Sequence, residues 1–568
     1  MPIDFRNTNT IWASVLAETL HRLGLMTAIV CPGSRSTPLA VAFAQHPQIE
    51  AIPMLDERSA SFFALGIARC SHRPVVLVCT SGTAGANFYP AVVEARESRV
   101  PLLVLTGDRP PELRDCNAGQ TVDQQKLFGT YPNWYSELAV PSLELALLAY
   151  LRQTIVQAWE RALYPVAGAV HLNLPFRDPL APVSQATAQA LSEQFPADFF
   201  AGIGTPPVAP ASPILHSPLL HSSDRGILIA GVAQPKFPKT YCEAIAHLSQ
   251  RFSIPVLAEG LSPVRNYAEC NPNLISTYSR ILLDQDLADQ LAPDWVIRVG
   301  EMPTSKRLRQ WLTQKQPQQW IIDPGDRNLD PLHLRTTHLR LSVEQLAAAL
   351  PEELLASSGY LKQWHEAEQR IRGSIDRSLN EMEEQFEGKA AWLLSQHLPA
   401  GTPLFIANSM PVRDVEAFWQ PNDLHIQPFF NRGANGIDGT LSTALGVAYH
   451  QRGVLLTGDL ALLHDTNGFL IGKKFSGHLT IVLINNNGGG IFESLPIAQF
   501  DPPFEEFFAT PQSINFALLC ATYGVNYELI QSWEQFVQRL NPLPNRGIRL
   551  LEIRTDRKGD MRQRTQLG

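Results

Sequence analysis

Two short segments of this sequence carry oxygen ligands at a spacing that suits a metal site. Gly453–Thr457 is an apolar run ending in Gly458-Asp459, and Leu479–Ile484 is a second, ending in Asn485-Asn486-Asn487-Gly488-Gly489-Gly490. Asp459 and Asn486 lie 27 residues apart. That is the length of a right-handed strand–helix–strand crossover, which sets both side chains at the carboxyl ends of parallel strands, where open α/β sheets bind ligands. One carboxylate, one amide oxygen and a backbone carbonyl from the glycine run form a hard-oxygen set. Such a set suits Mg²⁺ or Mn²⁺, which complete their coordination with phosphate and water oxygens. Each half alone also reads as a turn, because Gly-Asp and Asn-Gly pairs commonly mark turns; the pairing across one crossover is what points to a site.

This arrangement resembles the cofactor motif of the thiamine-diphosphate-dependent enzymes, which runs from Gly-Asp to an Asn pair over a similar distance. The resemblance implies that Asp459, Asn486 and the carbonyl of Gly488 hold a divalent ion bridging the cofactor's diphosphate, with Leu460 beside them. Many members have glycine where this chain has Leu460, a departure that narrows the family. Its members also use a glutamate that hydrogen-bonds the aminopyrimidine ring. Asp56-Glu57-Arg58, just before the helical stretch Ser59–Ala68, matches that place and makes Glu57 the catalytic candidate. Taken by itself, an acid at a helix start also serves the macrodipole. Ile437, within Asn431–Gly439, matches the bulky apolar residue beneath the cofactor, although a core isoleucine is the other reading. The family pairs the first unit of one subunit with the third of another, which implies a homodimer at minimum, with a homotetramer as the larger form.

Four further segments narrow the resemblance: Cys31–Pro38 (CPGSRSTP), Asp108–Cys116 (DRPPELRDC), Ser305–Leu308 (SKRL) and Asn431–Gly439 (NRGANGIDG). They are similar to the branch that joins 2-oxoglutarate to isochorismate, with loss of carbon dioxide, in menaquinone and phylloquinone biosynthesis. The likeness runs along nearly the whole chain. Both implied substrates carry two carboxylates, and buried carboxylates need charge-assisted donors, preferably arginine. The distinctive segments and their neighbourhood hold Arg35, Arg109, Lys306, Arg307, Arg413 and Arg432, each of which alone also reads as a surface or ion-paired cation. The resemblance assigns Ser34, Arg35, Arg109, Gln120, Lys306 and Arg307 to the isochorismate side. It assigns Ser409, Arg413 and Arg432 to the cofactor and the distal carboxylate of 2-oxoglutarate, and Ile491, Phe492 and Leu495 to an apolar wall beside the reacting carbon. Asn117-Ala118-Gly119-Gln120 departs from the family's Asn immediately before Gln, which puts a donor at Gly119 in question.

Two other readings bear on the same residues. A flavin or coenzyme A signature in the middle unit would favour an acetohydroxyacid synthase or another 2-oxo acid decarboxylase, and none is seen; Gly226–Gly231 is too short a glycine pattern for a dinucleotide. A non-catalytic homologue acting as a binding protein would have lost Glu57, Asp459 or Asn486, and all three are present.

The elements that must position these residues alternate short β-branched runs with longer helical patterns, the mark of doubly wound parallel sheets in an α/β fold. Three sets are expected. The first holds strands at Ala28–Cys31, Val75–Thr80, Leu102–Gly107 and Ala169–Leu174; the second at Gly226–Gly231, Pro255–Ala258, Trp295–Gly300 and Trp320–Asp323. Leu404–Ala407, Val454–Thr457, Leu479–Ile484 and Leu550–Arg554 make the third. The expected division is a pyrimidine-binding domain at 1–185, a linker at 186–224 containing TPPVAPASP, and a central domain at 225–351. A helical connection at 352–400 then leads to a diphosphate- and metal-binding domain at 401–568.

Bulk properties agree with a multidomain enzyme of small molecules. A chain of 568 residues, 45% hydrophobic and 18% charged, has ordinary globular composition. A net charge of −8 provides no general field for nucleic acid or anionic lipid. Seven cysteines are scattered without metal-ligand spacing and read as reduced thiols. With no signal-peptide pattern and no run of spanning length, the expected setting is the cytoplasm.

Overall fold

The computed structural model describes residues 3–204, 223–350 and 359–567; the expected linker core at 205–213 lies outside them. Three six-stranded sheets, parallel throughout, organise the chain. The first is built from β1 (Thr27–Val30), β2 (Glu50–Pro53), β3 (Val75–Cys79), β4 (Leu102–Asp108), β5 (Trp134–Glu137) and β6 (Ala169–Pro175), in the order β2-β1-β3-β4-β6-β5. β3, β4 and β6 are buried at every position, which is what continuous Val/Leu runs with helices on both faces require.

The second sheet contains β7 (Gly226–Ala230), β8 (Val256–Ala258), β9 (Leu274–Ile275), β10 (Trp295–Val299), β11 (Gln318–Ile322) and β12 (Arg335–Leu339), ordered β12-β11-β10-β7-β8-β9. The third contains β13 (Pro403–Ile406), β14 (Gln427–Phe429), β15 (Arg452–Gly458), β16 (His478–Asn485), β17 (Asn526–Leu529) and β18 (Gly547–Arg554), ordered β14-β13-β15-β16-β18-β17. The first and third sheets thus share one topology, and the second differs. Among the described residues, three helices run between the second and third sheets: Val343–Ala349, Gly359–Glu381 and Glu387–His397.

The chain divides into two compact units. The first comprises Met1–Ala209 together with Asn431–Tyr449 and His464–Ser476; the second comprises Pro210–Phe430, His450–Leu463 and Gly477–Gly568. In the first unit, helices Thr8–Leu23 and Leu145–Leu163 bury Trp12, Leu16, Ile155 and Trp159 against the sheet. Helix Glu57–Ser71 meets helix Thr440–Val447 at two glycines. A Cβ on Gly66 would lie 2.1 Å from the Thr443 carbonyl oxygen, and one on Gly446 would lie 2.1 Å from that of Phe63, so only glycine permits this backbone contact.

In the second unit, Arg265 ties the middle sheet to helix Met410–Phe418. Its guanidinium is fully buried and donates to the carbonyls of Ala258, Ser276, Val415 and Glu416 and to the Glu416 carboxylate at 3.1 Å. All seven cysteines are unbridged. Among the described residues, no helix is long and apolar enough to cross a membrane.

Candidate active site

Asp459 begins the helix that follows β15, and Asn486 follows β16. β15 and β16 are paired in register up to Gly458 opposite Ile484, so both residues leave the sheet at its carboxyl edge on adjacent strands. Both are buried. The Asp459 carboxylate accepts the backbone N–H of Leu460 and that of Gly488, each at 2.8 Å, which fixes the turn at 485–490 to the strand before it. Burial pushes Asp459 up to about 6, and those two backbone donors hold the rise back.

The three asparagines divide the work. Asn485 donates to Glu552 at 2.7 Å and belongs to the β18 side. Asn487, with φ +55°, makes the left-handed turn and accepts from the backbone of Ser513. Asn486 leans its amide nitrogen toward Glu387 at 3.5 Å, and its buried amide oxygen meets no donor in the protein. An orphaned acceptor of this kind beside a buried carboxylate is costly unless something else satisfies it. A hard cation satisfies both. The Gly488 carbonyl accepts Gly490 N–H at 3.0 Å and keeps a second lone pair. No group of three or more His, Cys, Asp and Glu side chains able to hold a metal occurs among the described residues. A mixed set of carboxylate, amide and carbonyl would suit a loosely protein-ligated Mg²⁺ or Mn²⁺.

The same unit holds Ser409, Arg413, Lys306, Arg307, Ile491, Phe492 and Leu495. Ser409 follows β13 with φ +71°, a strained position for a residue with a side chain, and its carbonyl accepts from Arg413 at 2.6 Å. Lys306 and Arg307 open a helix capped by Ser305 and are exposed. Ile491 and Phe492 are half-buried, with Phe492 edge-on to Phe508 at 5.8 Å, whereas Leu495 is 44% exposed.

In the first unit, Arg35, Arg109 and Gln120 converge. Arg35 follows β1, Thr80 and Ser81 follow β3, and Arg109 follows β4, on three adjacent strands. Arg35 donates its backbone N–H to Thr80 and its guanidinium to the Phe176 carbonyl at 2.8 Å. Arg109 donates to Ser81 Oγ at 2.6 Å and to the Gly119 carbonyl at 2.8 Å, and Gln120 donates to the Ser81 carbonyl at 2.9 Å. Gly119 therefore contributes an acceptor that holds Arg109. Burial and the neighbouring Arg109 charge lower the Arg35 guanidinium, and its buried Nε–H has no acceptor in the protein. Arg35 also lies 3.8 Å from the Asp178 carboxylate, and its spare donor beside a second guanidinium suits a further carboxylate. Ser34 is exposed beside them.

Glu57 is the first residue of its helix, and its neighbours have fixed duties. Asp56 caps the helix through Ser59 N–H and accepts from Asn467, while Arg58 donates to the His464 carbonyl. Glu57 is half-buried; burial raises its carboxyl above the ordinary value, with the Asp56 charge adding to the rise and a backbone N–H opposing it. An acid serving only the helix dipole shifts the other way. Arg432 and Ile437 also belong to this unit, both half-buried.

Sequence reasoning missed the residue that anchors their loop. Glu94, in helix Tyr89–Glu97, is 3% exposed and accepts from Gly433 N–H at 3.0 Å, Ala434 N–H at 2.7 Å, Ser98 Oγ at 2.5 Å and Arg69 at 2.8 Å. A glutamate in an ordinary helical pattern gives no local signal of such a role. Arg557 and Glu387, which meet the 485–490 turn and Asn486, were missed for the same reason.

Comparison with known proteins gives the family of the chain. Residues 12–127 match the family described as thiamine pyrophosphate enzyme, N-terminal TPP binding domain, and residues 218–406 match the middle domain of thiamine pyrophosphate enzymes. A protein from Nostoc sp. (strain PCC 7120 / SAG 25.82 / UTEX 2576) is 64% identical over 99% of this chain and 98% of its own. Relatives from Gloeothece citriformis (strain PCC 7424) and Synechococcus sp. (strain JA-3-3Ab) are 62% and 56% identical over 99% of this chain, covering 98% and 96% of theirs. All three are named 2-succinyl-5-enolpyruvyl-6-hydroxy-3-cyclohexene-1-carboxylate synthase. At that identity and coverage, this chain belongs to the 2-succinyl-5-enolpyruvyl-6-hydroxy-3-cyclohexene-1-carboxylate synthase family of thiamine-diphosphate enzymes.

Proposed function

We propose that the chain decarboxylates 2-oxoglutarate and adds the remaining succinyl unit, as a carbanion equivalent, to isochorismate. The products are 2-succinyl-5-enolpyruvyl-6-hydroxy-3-cyclohexene-1-carboxylate and carbon dioxide, made for menaquinone or phylloquinone in the cytoplasm. The observation that carries this reading is the buried pairing of the Asp459 carboxylate with an Asn486 oxygen that nothing in the protein satisfies. With the Gly488 carbonyl they would hold Mg²⁺ or Mn²⁺ against the diphosphate, beside Leu460. Thiamine diphosphate, when bound, supplies the electron sink that makes loss of carbon dioxide from a 2-oxo acid feasible.

The chain's own residues do the rest. Glu57, with its raised carboxyl, would hold a proton for the pyrimidine of a bound cofactor. Ile437 would give that cofactor apolar support. Ser409, Arg413 and Arg432 bind and orient 2-oxoglutarate, while Ser34, Arg35, Arg109, Gln120, Lys306 and Arg307 receive isochorismate. Ile491, Phe492 and Leu495 exclude water, which would otherwise supply a proton in place of the acceptor carbon. A homodimer is the smallest active form in this reading, with a homotetramer as the alternative larger form. The working division is into domains at 1–185, 225–351 and 401–568, with the linker at 186–224 and the helical connection at 352–400.

The test follows both substrates at once, with thiamine diphosphate and metal each added or withheld. Joint consumption that needs all four components is expected. Turnover without thiamine diphosphate, or pyruvate accepted as readily as 2-oxoglutarate, overturns the assignment.

A further inference from the structure

The turn at 485–490 carries two of the three proposed metal ligands, yet its glycines give it little stiffness of its own. Stiffness arrives from the far end of the chain. Arg557, the first residue of helix Arg557–Gln566, has a side chain only 9% exposed. Its guanidinium donates from all three nitrogens: Nη1 to the Asn487 carbonyl at 2.9 Å, Nε to the Glu493 carboxylate at 2.8 Å, and Nη2 to the Glu505 carboxylate. Asn487 lies between Asn486 and Gly488, and Glu493 lies in the 490–494 segment that carries Ile491 and Phe492. Gly488, at φ +144°, passes so close that a Cβ there would lie 2.8 Å from Arg557 Nη1 and 2.5 Å from the Ala509 carbonyl oxygen. The fork thus meets the metal-binding turn, the apolar segment and the 505–509 turn at one point.

We propose that Arg557 is a positioning residue for the cofactor: it locks the 485–490 turn and the 490–494 segment in their binding geometry before thiamine diphosphate and metal arrive. This rests on the reading of Asp459, Asn486 and Gly488 as metal ligands. Mg²⁺ tolerates little departure from octahedral geometry, so a turn left to find its shape on binding pays in affinity. A planar fork with three fixed donors does what a lysine cannot, since an ammonium has no such span.

Isothermal titration of the full-length protein with thiamine diphosphate at saturating Mg²⁺ tests this, comparing wild type with Arg557→Gln and Arg557→Lys. Hydrogen exchange is measured on the same proteins without cofactor. Both variants should bind about tenfold more weakly, lysine should not rescue, and exchange should quicken over 485–495 while peptides from β15 and β16 stay protected. Wild-type affinity and exchange in both variants overturn the inference. A wild-type protein that binds no thiamine diphosphate with Mg²⁺ overturns the ligand assignment itself, a separate failure. Should Arg557→Gln fail to fold, Glu505→Gln removes one arm of the fork at a side chain 41% exposed. It must then weaken binding at an unchanged melting temperature, and unchanged affinity there overturns the inference as well.

Discussion

Glu94→Gln separates the anchoring of a loop from the stability of a core. In the wild type, one buried carboxylate accepts four hydrogen bonds, from Arg69, Ser98, Gly433 and Ala434. Arg69 is as buried as its partner, at 3% side-chain exposure each. Removing one member of a buried ion pair costs about 3–5 kcal/mol, because the other charge is left uncompensated. Glutamine keeps the volume and one acceptor, so the loss should fall near the lower end, at about 3 kcal/mol. Its amide group must also turn an N–H toward a donor it replaces as acceptor, which breaks a backbone anchor of the loop. One such anchor is worth about 1 kcal/mol, or about fivefold in an equilibrium. If Arg432 on that loop binds 2-oxoglutarate, its KM should rise about fivefold to tenfold with the isochorismate KM within about twofold. Urea denaturation and steady-state kinetics read the two effects. The double variant Arg69→Met with Glu94→Leu provides a control: an apolar pair can restore stability, yet it leaves Gly433 and Ala434 without an acceptor and should keep the raised KM. A Glu94→Gln protein within about 0.5 kcal/mol of wild type, or one whose two KM values rise together, refutes this account.

Three further outcomes follow from the packing. Gly66→Ala should lower stability by about 2–3 kcal/mol or more, since its Cβ would sit 2.1 Å from the Thr443 carbonyl oxygen; a wild-type denaturation midpoint would mean the two helices separate freely. Arg265→Ala strands the buried Glu416 carboxylate and should cost about 3–5 kcal/mol, read by chemical denaturation, and a change under about 1 kcal/mol would show that water replaces the guanidinium. Burial lowers His171 from 6.5 to about 3 and His478 to about 4. The unfolded chain therefore takes up these protons first, so stability is full above pH 6.5 and falls as the pH drops toward the folded values, by up to about 1.4 kcal/mol per pH unit for each histidine. His171→Gln should flatten the urea midpoint between pH 6.5 and 4; a variant curve parallel to that of wild type counts against a neutral buried His171.

What the sequence made legible follows burial. The twelve strands anticipated from β-branched runs are the four inner strands of each sheet, and the six overlooked are the two edges of each: β2 and β5, β9 and β12, β14 and β17. Inner strands are covered on both faces and are mostly apolar, whereas β2, β5 and β12 have exposed or half-exposed positions at most of their residues and read as loop. The site divides in a similar way. Asp459 with Asn486 stands out by spacing, whereas Arg35 and Arg109 stand out through the family resemblance of the segments that carry them. Residues that hold them, such as Glu94 from 339 positions away or Arg557 from 70, leave no mark in the local pattern, because a supporting carboxylate or guanidinium is written in three dimensions only.

The shared order of the first and third sheets sets the two proposed groups of site residues at equivalent places. Taken by position within each sheet, both run 2-1-3-4-6-5, so the order reverses between the first and third strands and opens a crevice at their carboxyl ends. The first sheet places Arg35 after its first strand, Ser81 after its third and Arg109 after its fourth; the third sheet places Ser409, Asp459 and Asn486 at the same three stations. The first set presents two guanidinium groups with the Ser81 hydroxyl that holds one of them, which suits the proposed carboxylate ligand, and the third presents oxygen acceptors, which suits the proposed cation. The loops after the fourth strands differ accordingly. Asp108-Arg109-Pro110-Pro111 is stiff, which serves a site that reaches its ligand through a long side chain already held by Ser81 and Gly119. Asn486-Asn487-Gly488-Gly489-Gly490 is supple, which serves a site where the backbone itself must come close to the ligand, and there rigidity has to be supplied from outside the loop. The Arg557 fork meets that need, so the contrast between proline and glycine at one topological station predicts which of the two sites depends on a distant clamp.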